Sequence, residues 1–353
     1  MLAPQEKIPF KDLVLYGWMP SFLKKIVYRA KGYKISSSCH LGFGSVVSGR
    51  SVEIGDDVHI GMMTMITGRQ IQIARRVKIG MMSILNCPVI SIGENTRINN
   101  KVIVGGMPTP RSAFHIGSNG IVMEWSFINT TEPVVIGNDV GIGGHCLFFT
   151  HGMWPNRYEG NPAKFGPIHI HDKVWLAWRV SVLPGATIGN GSIISSDACV
   201  TGEIPAGALA GGVPAKVIRS DYSFKSAMDT SSTLKKLHET LEDYEEWLKY
   251  NGLSVELDKT TMSMALYASN GSVDARLVVA ADEAAIPELS LSKKDCLVCV
   301  GGMGSKVRKI VNERGLAWLD IAACERSRRG NDLLADFEEF IRRDGLRLIV
   351  EKQ

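Results

Sequence analysis

The sequence predicts a β-helix followed by a helix and a small α/β domain. Between Ile168 and Arg219 the chain reads in six-residue repeats, each opened by an aliphatic residue and supplied with small or turn-forming residues. Six of these hexapeptides follow one another without a break from Ile170 to Pro205, a run too long to arise by chance. One six-residue side of a coil cannot bury its apolar residue alone, so stacked coils bury a ladder of aliphatic residues. Glycine, asparagine and aspartate supply the tight corners.

Upstream, the same hexapeptides recur more loosely and are interrupted by two insertions. Successive coils start 18 to 20 residues apart, except for intervals of 24 residues from Ile92 to Ile116 and 34 residues from Ile136 to Ile170. About three hexapeptides therefore make one triangular coil, and the excess residues are loops. The larger loop, at about 150–167, is rich in Pro, Gly, Asn and aromatic residues. A long loop inserted into a regular scaffold is where function is expected.

Composition and length limit the class of protein. The 353 residues leave room for two domains, and a net charge of +4 argues against a nucleic-acid-binding stripe. Seven scattered cysteines, no secretory segment and no apolar run near the length of a membrane span predict a reduced, cytoplasmic protein. Cys296 and Cys299 would point to opposite sides of one strand, so we predict two buried thiols rather than a redox pair.

The segments outside the repeats have three predicted roles. Residues 1–34 form a helical cap on the first coil, with Phe22 and Ile26 on the apolar side of a basic helix. The alternative is peripheral membrane contact through this N-terminal segment, which its short apolar side makes the weaker interpretation. Residues 220–260 are a linker and a helix, and residues 261–353 alternate strands and helices, as in a small α/β domain of unknown role.

Four motifs within residues 35–219 resemble those of the hexapeptide-repeat acyltransferases, and most closely those of bacterial sugar and polysaccharide O-acetyltransferases. They are Phe149-Thr-His-Gly152, Asp172-Lys-Val-Trp175, Val182-Leu-Pro-Gly-Ala-Thr-Ile-Gly189 and Ala210-Gly-Gly-Val-Pro-Ala-Lys-Val217. The resemblance covers more than half of the chain. It implies a left-handed parallel β-helix, a homotrimer, and acetyl-CoA as the acyl donor.

His151, at the start of the long loop, is the predicted general base. An acceptor hydroxyl must lose its proton as it attacks the thioester carbon, and imidazole titrates near neutrality. The resemblance implies that the matching histidine does this in a direct transfer, with no acyl-enzyme intermediate. It also places an asparagine near the histidine, and Asn129 is the best match; a polar turn residue is the alternative interpretation.

Residues near this histidine are predicted to contact the acceptor. Glu124 lies one coil earlier in the sequence, and the long loop carries Trp154, Arg157 and Tyr158. Aromatic rings stack on the apolar faces of sugars, and arginine binds anionic groups.

The resemblance assigns acetyl-CoA contacts to the last coils: Ala177 and Ser196 for the pantetheine arm, Thr201 near the nucleotide, and Lys216 and Arg219 for the phosphates. Trp178 stands where relatives have a small residue, and its bulk would narrow the thiol end of this site. Gly202 stands where relatives often have lysine, which would remove one phosphate contact.

The expected function is acetyl-CoA-dependent O-acetylation of a sugar of a cell-surface polysaccharide or its lipid-linked precursor, without a metal. One alternative is N-acetylation of a nucleotide-linked amino sugar, to which an incomplete dinucleotide fingerprint at Gly302 and Gly304 would be suited. A non-catalytic scaffold is a second alternative. A metal-dependent relative of the carbonic anhydrases is a third, and would require three histidines facing one site.

Overall fold

A computed structural model of the chain describes residues 10–152, 156–162, 164–220, 228–269, 271–342 and 345–351. The chain forms two compact units, Met1–Ser223 and Phe224–Gln353. The first unit is a left-handed parallel β-helix and the second is a sheet with helices. The fold class predicted from the sequence is confirmed. Among the described residues, no helix is long and apolar enough to cross a membrane.

In the described part of the first unit, three faces of short parallel strands surround one core. Face A consists of Ile84–Asn86, Ile103–Gly105, Phe127–Asn129, Leu147–Phe148, Ser181–Val182 and Cys199–Val200. Face B consists of Lys34–Ile35, Val89–Ile92, Ala113–Ile116, Val134–Ile136, Ile168–Ile170, Thr187–Ile188 and Glu203–Ile204. The long strands Val46–Ile54 and Met65–Ile73 run through the corner between these two faces and join them into one sheet.

Face C is a separate sheet. Its parallel strands are His40–Leu41, His59–Ile60, Lys78–Ile79, Arg97–Ile98, Ile121–Val122, Gly141–Ile142, Trp175–Leu176, Ile193–Ile194 and Leu209–Gly211. Lys216–Arg219 closes it as an antiparallel strand. The chain passes from face A through the A/B corner to face B, then to face C, and returns to face A through the C/A corner.

The corners explain the hexapeptide pattern. The aliphatic residue that opens each hexapeptide is buried in the common core. Three residues later the backbone turns with a positive φ, as at Asp57 (55°), Asn95 (62°) and Asp139 (57°). Aspartate and asparagine tolerate this left-handed conformation better than most residues do.

Two N-terminal helices, α1 (Phe10–Tyr16) and α2 (Ser21–Ala30), lie on the first coil. The buried Lys24 of α2 donates hydrogen bonds to the carbonyl oxygens of Gly42 (2.6 Å) and Ser45 (2.9 Å). The hydroxyl of Tyr28 accepts one from the Val47 amide at 3.0 Å. These contacts satisfy backbone groups at the open end of the β-helix that water would otherwise solvate.

The apolar side of α2 points away from the coil. Phe22 is 61% exposed and Ile26 is 59% exposed, and Trp18 before α2 is also exposed. The sequence predicts these apolar residues as one side of the helix, but the structure buries the opposite, polar side. Membrane contact through this segment stays a prediction.

The second unit is built on one mixed sheet. Its described strands, in sheet order, are Ser254–Asp258, Ser263–Tyr267, Val273–Ala280, Cys296–Cys299, Ala317–Asp320, Glu325–Arg326 and Ile349–Val350. Its α-helices are α3 (Thr230–Tyr250), α4 (Ser305–Glu313) and α5 (Asp332–Ile341). The leucines of α3 pack into the apolar core of this unit.

The two cysteines of the Cys296–Cys299 strand are fully buried and pack into different apolar clusters on opposite sides of the sheet. Burial raises the pKa of the Cys296 thiol to about 12 and that of Cys299 to about 11. The prediction that they are core thiols is confirmed.

Candidate active site

His151 lies at the A/B corner, where the long insertion leaves the β-helix. Its short strand, His151–Gly152, pairs antiparallel with Lys164–Phe165, so the two ends of the insertion are held side by side. The imidazole stacks on the Phe165 ring, with 5.5 Å between centroids and 20° between planes. The ring therefore has a fixed orientation at the mouth of the loop.

The side chain of Asn129 holds the other edge of the imidazole. Asn129 ends a strand of face A one coil earlier and is buried. Its Oδ1 lies 3.2 Å from His151 Nδ1 and 2.8 Å from the Thr150 hydroxyl. The same oxygen accepts a hydrogen bond from the Thr131 amide at 3.1 Å.

These contacts determine which nitrogen of His151 carries the proton. A backbone N–H can only donate, so the amide atom facing the Thr131 amide must be the oxygen of Asn129 and not its nitrogen. That oxygen can only accept, so His151 Nδ1 must donate to it. The neutral imidazole then has its lone pair on Nε2, the nitrogen that points away from Asn129. A lone pair held in this way is what a general base requires.

Thr150 completes this arrangement and was not singled out from the sequence. Its buried hydroxyl accepts a hydrogen bond from the Glu132 amide at 3.0 Å and donates to Asn129 Oδ1. Its position immediately before the histidine in the motif Phe149-Thr-His-Gly152 was the available signal. Thr150 therefore connects two coils at the point where His151 is held.

The smaller loop, around residues 106–112, packs against the Asn129 amide. A Cβ atom added to Gly106 would lie 2.8 Å from Asn129 Nδ2 and 3.0 Å from Thr131 Oγ1. Only glycine allows this close approach of the backbone. Among the described residues, the buried Thr131 Oγ1 has no hydrogen-bond partner.

An ion pair borders the same corner. Arg111 of the smaller loop binds the buried Glu132 carboxylate through Nε (2.8 Å to Oε2) and through Nη2. The Arg111 hydrogen bond lowers the pKa of Glu132, so this carboxylate stays ionised at neutral pH. The paired arginine offsets the negative charge of this carboxylate.

The predicted acceptor residues do not all lie beside His151. Trp154 lies outside the described residues. Arg157 begins a short 3₁₀ helix, Arg157–Glu159, in which the Tyr158 side chain is fully exposed. Glu124 lies before the strand that Asn129 ends, at the C/A corner, where it accepts a hydrogen bond from Asn99 Nδ2 at 2.9 Å. Five residues of extended chain span about 16 Å, so Glu124 is remote from His151 within one chain.

The predicted donor residues occupy more than one edge of the β-helix. Ala177, Trp178 and Ser196 lie at the C/A corner, whereas Thr201 lies at the A/B corner below His151. The half-exposed Trp178 ring covers Gly144, where an added Cβ would lie 2.6 Å from it. Lys216 and Arg219 are exposed on the last strand of face C. These roles in donor binding stay predictions.

Two sites considered from the sequence, a histidine metal site and a nucleotide site at the glycine turn, do not form in the described residues. No group of three His, Cys, Asp or Glu side chains in the described ranges could hold a metal ion. In the glycine turn of the second unit, the Met303 amide donates to Asp320 (2.8 Å) and the Gly304 amide donates to Glu283 (2.6 Å). Carboxylates thus occupy two amides that a phosphate would need.

The fold and the site define a hexapeptide-repeat β-helix protein in which a histidine at the start of an insertion is held by an asparagine of the preceding coil. No protein-family model matches the chain. A Staphylococcus aureus protein provisionally named an acetyltransferase is 44% identical over 92 residues, covering 26% of this chain and 43% of that protein. Escherichia coli WbbJ, provisionally named a lipopolysaccharide biosynthesis O-acetyl transferase, is 31% identical over 121 residues, covering 31% of this chain and 61% of that protein.

Among solved structures, a hexapeptide-repeat acetyltransferase of Vibrio cholerae complexed with acetyl coenzyme A is 20% identical, with a TM-score of 0.28. The match covers 60% of this chain and 84% of that one. The curated relatives confirm the resemblance to hexapeptide-repeat acyltransferases that the motifs indicate. The chain spans less than half of the length of the first relative and less than two thirds of the second.

Proposed function

We propose that this chain is an acetyl-CoA-dependent O-acetyltransferase that acetylates a sugar hydroxyl of a cell-surface polysaccharide or its precursor. The observation that carries the proposal is the hydrogen bond from His151 Nδ1 to the fixed oxygen of Asn129, which leaves Nε2 as a proton acceptor. The names of the curated relatives support the reaction, and the name of WbbJ supports the class of acceptor.

The reaction follows from this geometry. Nε2 of His151 takes the proton of the acceptor hydroxyl while the oxygen attacks the thioester carbonyl of acetyl-CoA. The imidazolium that forms keeps its Nδ1–H bond to Asn129, whose oxygen stabilises the positive charge. The tetrahedral intermediate collapses, the C–S bond breaks, and Nε2 returns the proton to the thiolate. No protein nucleophile takes part.

We also propose that the enzyme works as a cytoplasmic homotrimer. Ala177, Trp178 and Ser196 lie at the C/A corner, and His151 lies at the A/B corner of the same chain. A donor held along the C/A corner of one copy and a base at the A/B corner of its neighbour would form one site. This placement supports a site shared between copies. In such a site the donor residues of one copy would meet His151 of the next, although the two lie at different corners of a single chain.

A thiol-release assay tests the proposal. Purified protein is incubated with acetyl-CoA and a panel of bacterial sugars, nucleotide sugars and nucleotide-linked amino sugars, and product is identified by mass spectrometry. His151→Ala should lower kcat by about 10²- to 10⁴-fold, the usual contribution of a general base. His169→Ala, at an exposed histidine on face B, is the matched control and should retain full activity.

Four outcomes contradict the proposal. Full activity of His151→Ala would show that another group is the base. Thiol release with amine acceptors alone would indicate N-acetylation, and no release with any acceptor would indicate a scaffold. Stoichiometric zinc in the active protein would favour a metal-dependent mechanism.

A further inference from the structure

A group of exposed apolar side chains lies on and between the two N-terminal helices, α1 and α2. Each is between 38% and 61% exposed, and the group consists of Val14, Leu15, Trp18, Phe22, Leu23 and Ile26. Single exposed apolar residues are ordinary, whereas a group as dense as this one marks a binding surface. No step of the proposed acetyl transfer uses these residues.

The polar side of α2 keeps the apolar side outward. Ser21, Lys24 and Tyr28 are three and four residues apart, so they lie on one side of the helix. The Ser21 hydroxyl accepts a hydrogen bond from the Leu41 amide at 3.0 Å. The Tyr28 hydroxyl accepts one from the Val47 amide at 3.0 Å, and Lys24 Nζ donates to two carbonyl oxygens of the first coil. Turning the apolar side inward would break all these bonds, so the exposed orientation is the stable one.

The outward side of α2 is apolar over its whole first half. Phe22, Leu23 and Ile26 lie within about 100° of one another around the helix axis, given 3.6 residues per turn. Trp18, just before the helix, packs edge-on against the exposed Phe43 with 5.0 Å between ring centroids. Tryptophan, with an apolar ring and a polar N–H, is typical of surfaces that meet the boundary between water and lipid.

Helix α1 extends this surface. The Lys31 ammonium binds the Asp12 carboxylate at 3.1 Å and lies over the Tyr16 ring, 4.2 Å from its centroid. These contacts hold α1 beside the end of α2. Val14 and Leu15 of α1 therefore add to the apolar area that α2 alone would present.

The same segment carries concentrated positive charge. Residues 10–31 contain four lysines, one arginine and one aspartate, an excess as large as the net charge of +4 of the whole chain. Lys31 is paired with Asp12. Lys25 donates to two carbonyl oxygens of the first coil, and Arg29 donates to a third through Nε and Nη2. A carbonyl oxygen has no net charge, so Lys25 and Arg29 keep theirs.

We propose that this surface binds an anionic lipid bilayer, with α2 lying in the plane of the headgroups. Phe22, Leu23 and Ile26 enter the boundary between headgroups and acyl chains, as in other interfacial amphipathic helices. Lys25 and Arg29 follow Phe22 by three and seven residues, so they lie beside it and meet the lipid phosphates.

Charge favours a bilayer over a second copy of the chain. A second copy seated on this surface would bring an identical basic helix against the first, and like charges across an interface weaken binding. Anionic headgroups above an apolar layer supply the opposite charge and the apolar phase together. The inference goes beyond the proposed function and does not depend on it.

Vesicle flotation of the full-length protein tests the inference. The probes are vesicles of phosphatidylcholine alone and vesicles in which part of it is replaced by phosphatidylglycerol. Each basic residue near an anionic surface contributes about fivefold to binding, so the mixed vesicles should bind about tenfold more tightly or better.

The double variant F22Q/I26Q removes two apolar side chains and leaves the hydrogen bonds of α2 to the first coil in place. Glutamine is a good helix former, so α2 should persist. Binding to the mixed vesicles should weaken by about tenfold or more, because burial of these side chains is lost. The matched control is Y250Q/I310Q, which replaces an exposed aromatic residue and an exposed isoleucine of the second unit and should bind as the wild type does. Melting temperatures establish that each variant is folded.

The inference is overturned if the folded wild-type protein does not float with the mixed vesicles, or if F22Q/I26Q binds them as tightly as the control variant. It is also overturned if F22Q/I26Q lowers the oligomeric state in sedimentation velocity, since the surface would then be a contact between copies. Thiol release with soluble sugars is measured on the same preparations. Intact release without vesicle binding refutes this inference alone, and vesicle binding without release refutes the proposed function alone.

Discussion

The oxygen of Asn129 can be removed while the shape of the side chain is nearly kept, by Asn129→Leu. Three donors then lose their common acceptor: the Thr131 amide, the Thr150 hydroxyl and His151 Nδ1. The first two are buried, and an unpaired buried donor costs about 1–3 kcal/mol. The free energy of unfolding should therefore fall by about 2–6 kcal/mol.

The loss of activity is a separate quantity. A hydrogen bond to a group that becomes charged contributes about 1.5–3 kcal/mol, which corresponds to about 10- to 150-fold in kcat. Because Asn129 orients the base and does not bind the substrate, KM should change little. Asn129→Asp keeps an acceptor for all three donors and should restore most of the activity. Its negative charge favours the protonated imidazole, so the acidic limb of the kcat profile should move to higher pH.

The assay is steady-state thiol release, measured at a temperature at which urea titration shows every variant to be folded. Loss of kcat in the leucine variant and recovery in the aspartate variant are the expected result. If the folded leucine variant keeps kcat within about twofold of the wild type, the tautomer argument is wrong. Asn129 would then stabilise the corner and contribute nothing to the base.

Three other results are expected. Gly106→Ala should lower kcat by about tenfold, because the added Cβ would lie 2.8 Å from Asn129 Nδ2 and must displace that amide; unchanged kinetics would contradict this. Burial lowers the pKa of Lys24 from 10.5 to about 8, so between these pH values the unfolded chain holds a proton that the folded chain has lost. The free energy of unfolding should rise across this interval relative to that of Lys24→Met, and parallel pH curves would refute it. Cys296 and Cys299 should resist alkylation in the native protein and react only after unfolding, as peptide mapping would detect.

Much of the scaffold could be predicted because its information is local. A hexapeptide presents the same aliphatic and corner positions in every coil, so the register follows from counting residues. The contact between Asn129 and His151 could also be predicted. The two residues are 22 apart and one coil has 18 to 20, so they lie at the same corner of successive coils. Glu124 lies only five residues earlier, yet it belongs to a different corner. Two residues that are close in sequence can therefore lie at opposite ends of one strand, and so at different corners of the β-helix.

The orientation of α2 depended on packing. Its apolar side chains suggest an inward face, but the end of a β-helix presents carbonyl oxygens that need donors. Lys24 supplies them and is buried, while Phe22 and Ile26 stay exposed. The backbone of the first coil determines which side of α2 is buried, and the sequence of the helix alone does not contain that information.

The sequence by itself determined the coils, the insertion and the histidine that begins it, because a repeated local pattern specifies repeated local structure. Only the tertiary structure decided which nitrogen of His151 holds the proton. That depends on the Thr131 amide, which orients the Asn129 oxygen, and on Thr150, which links it to the next coil. Hydrogen-bond direction is a property of atoms brought together from different coils, and no residue carries it alone.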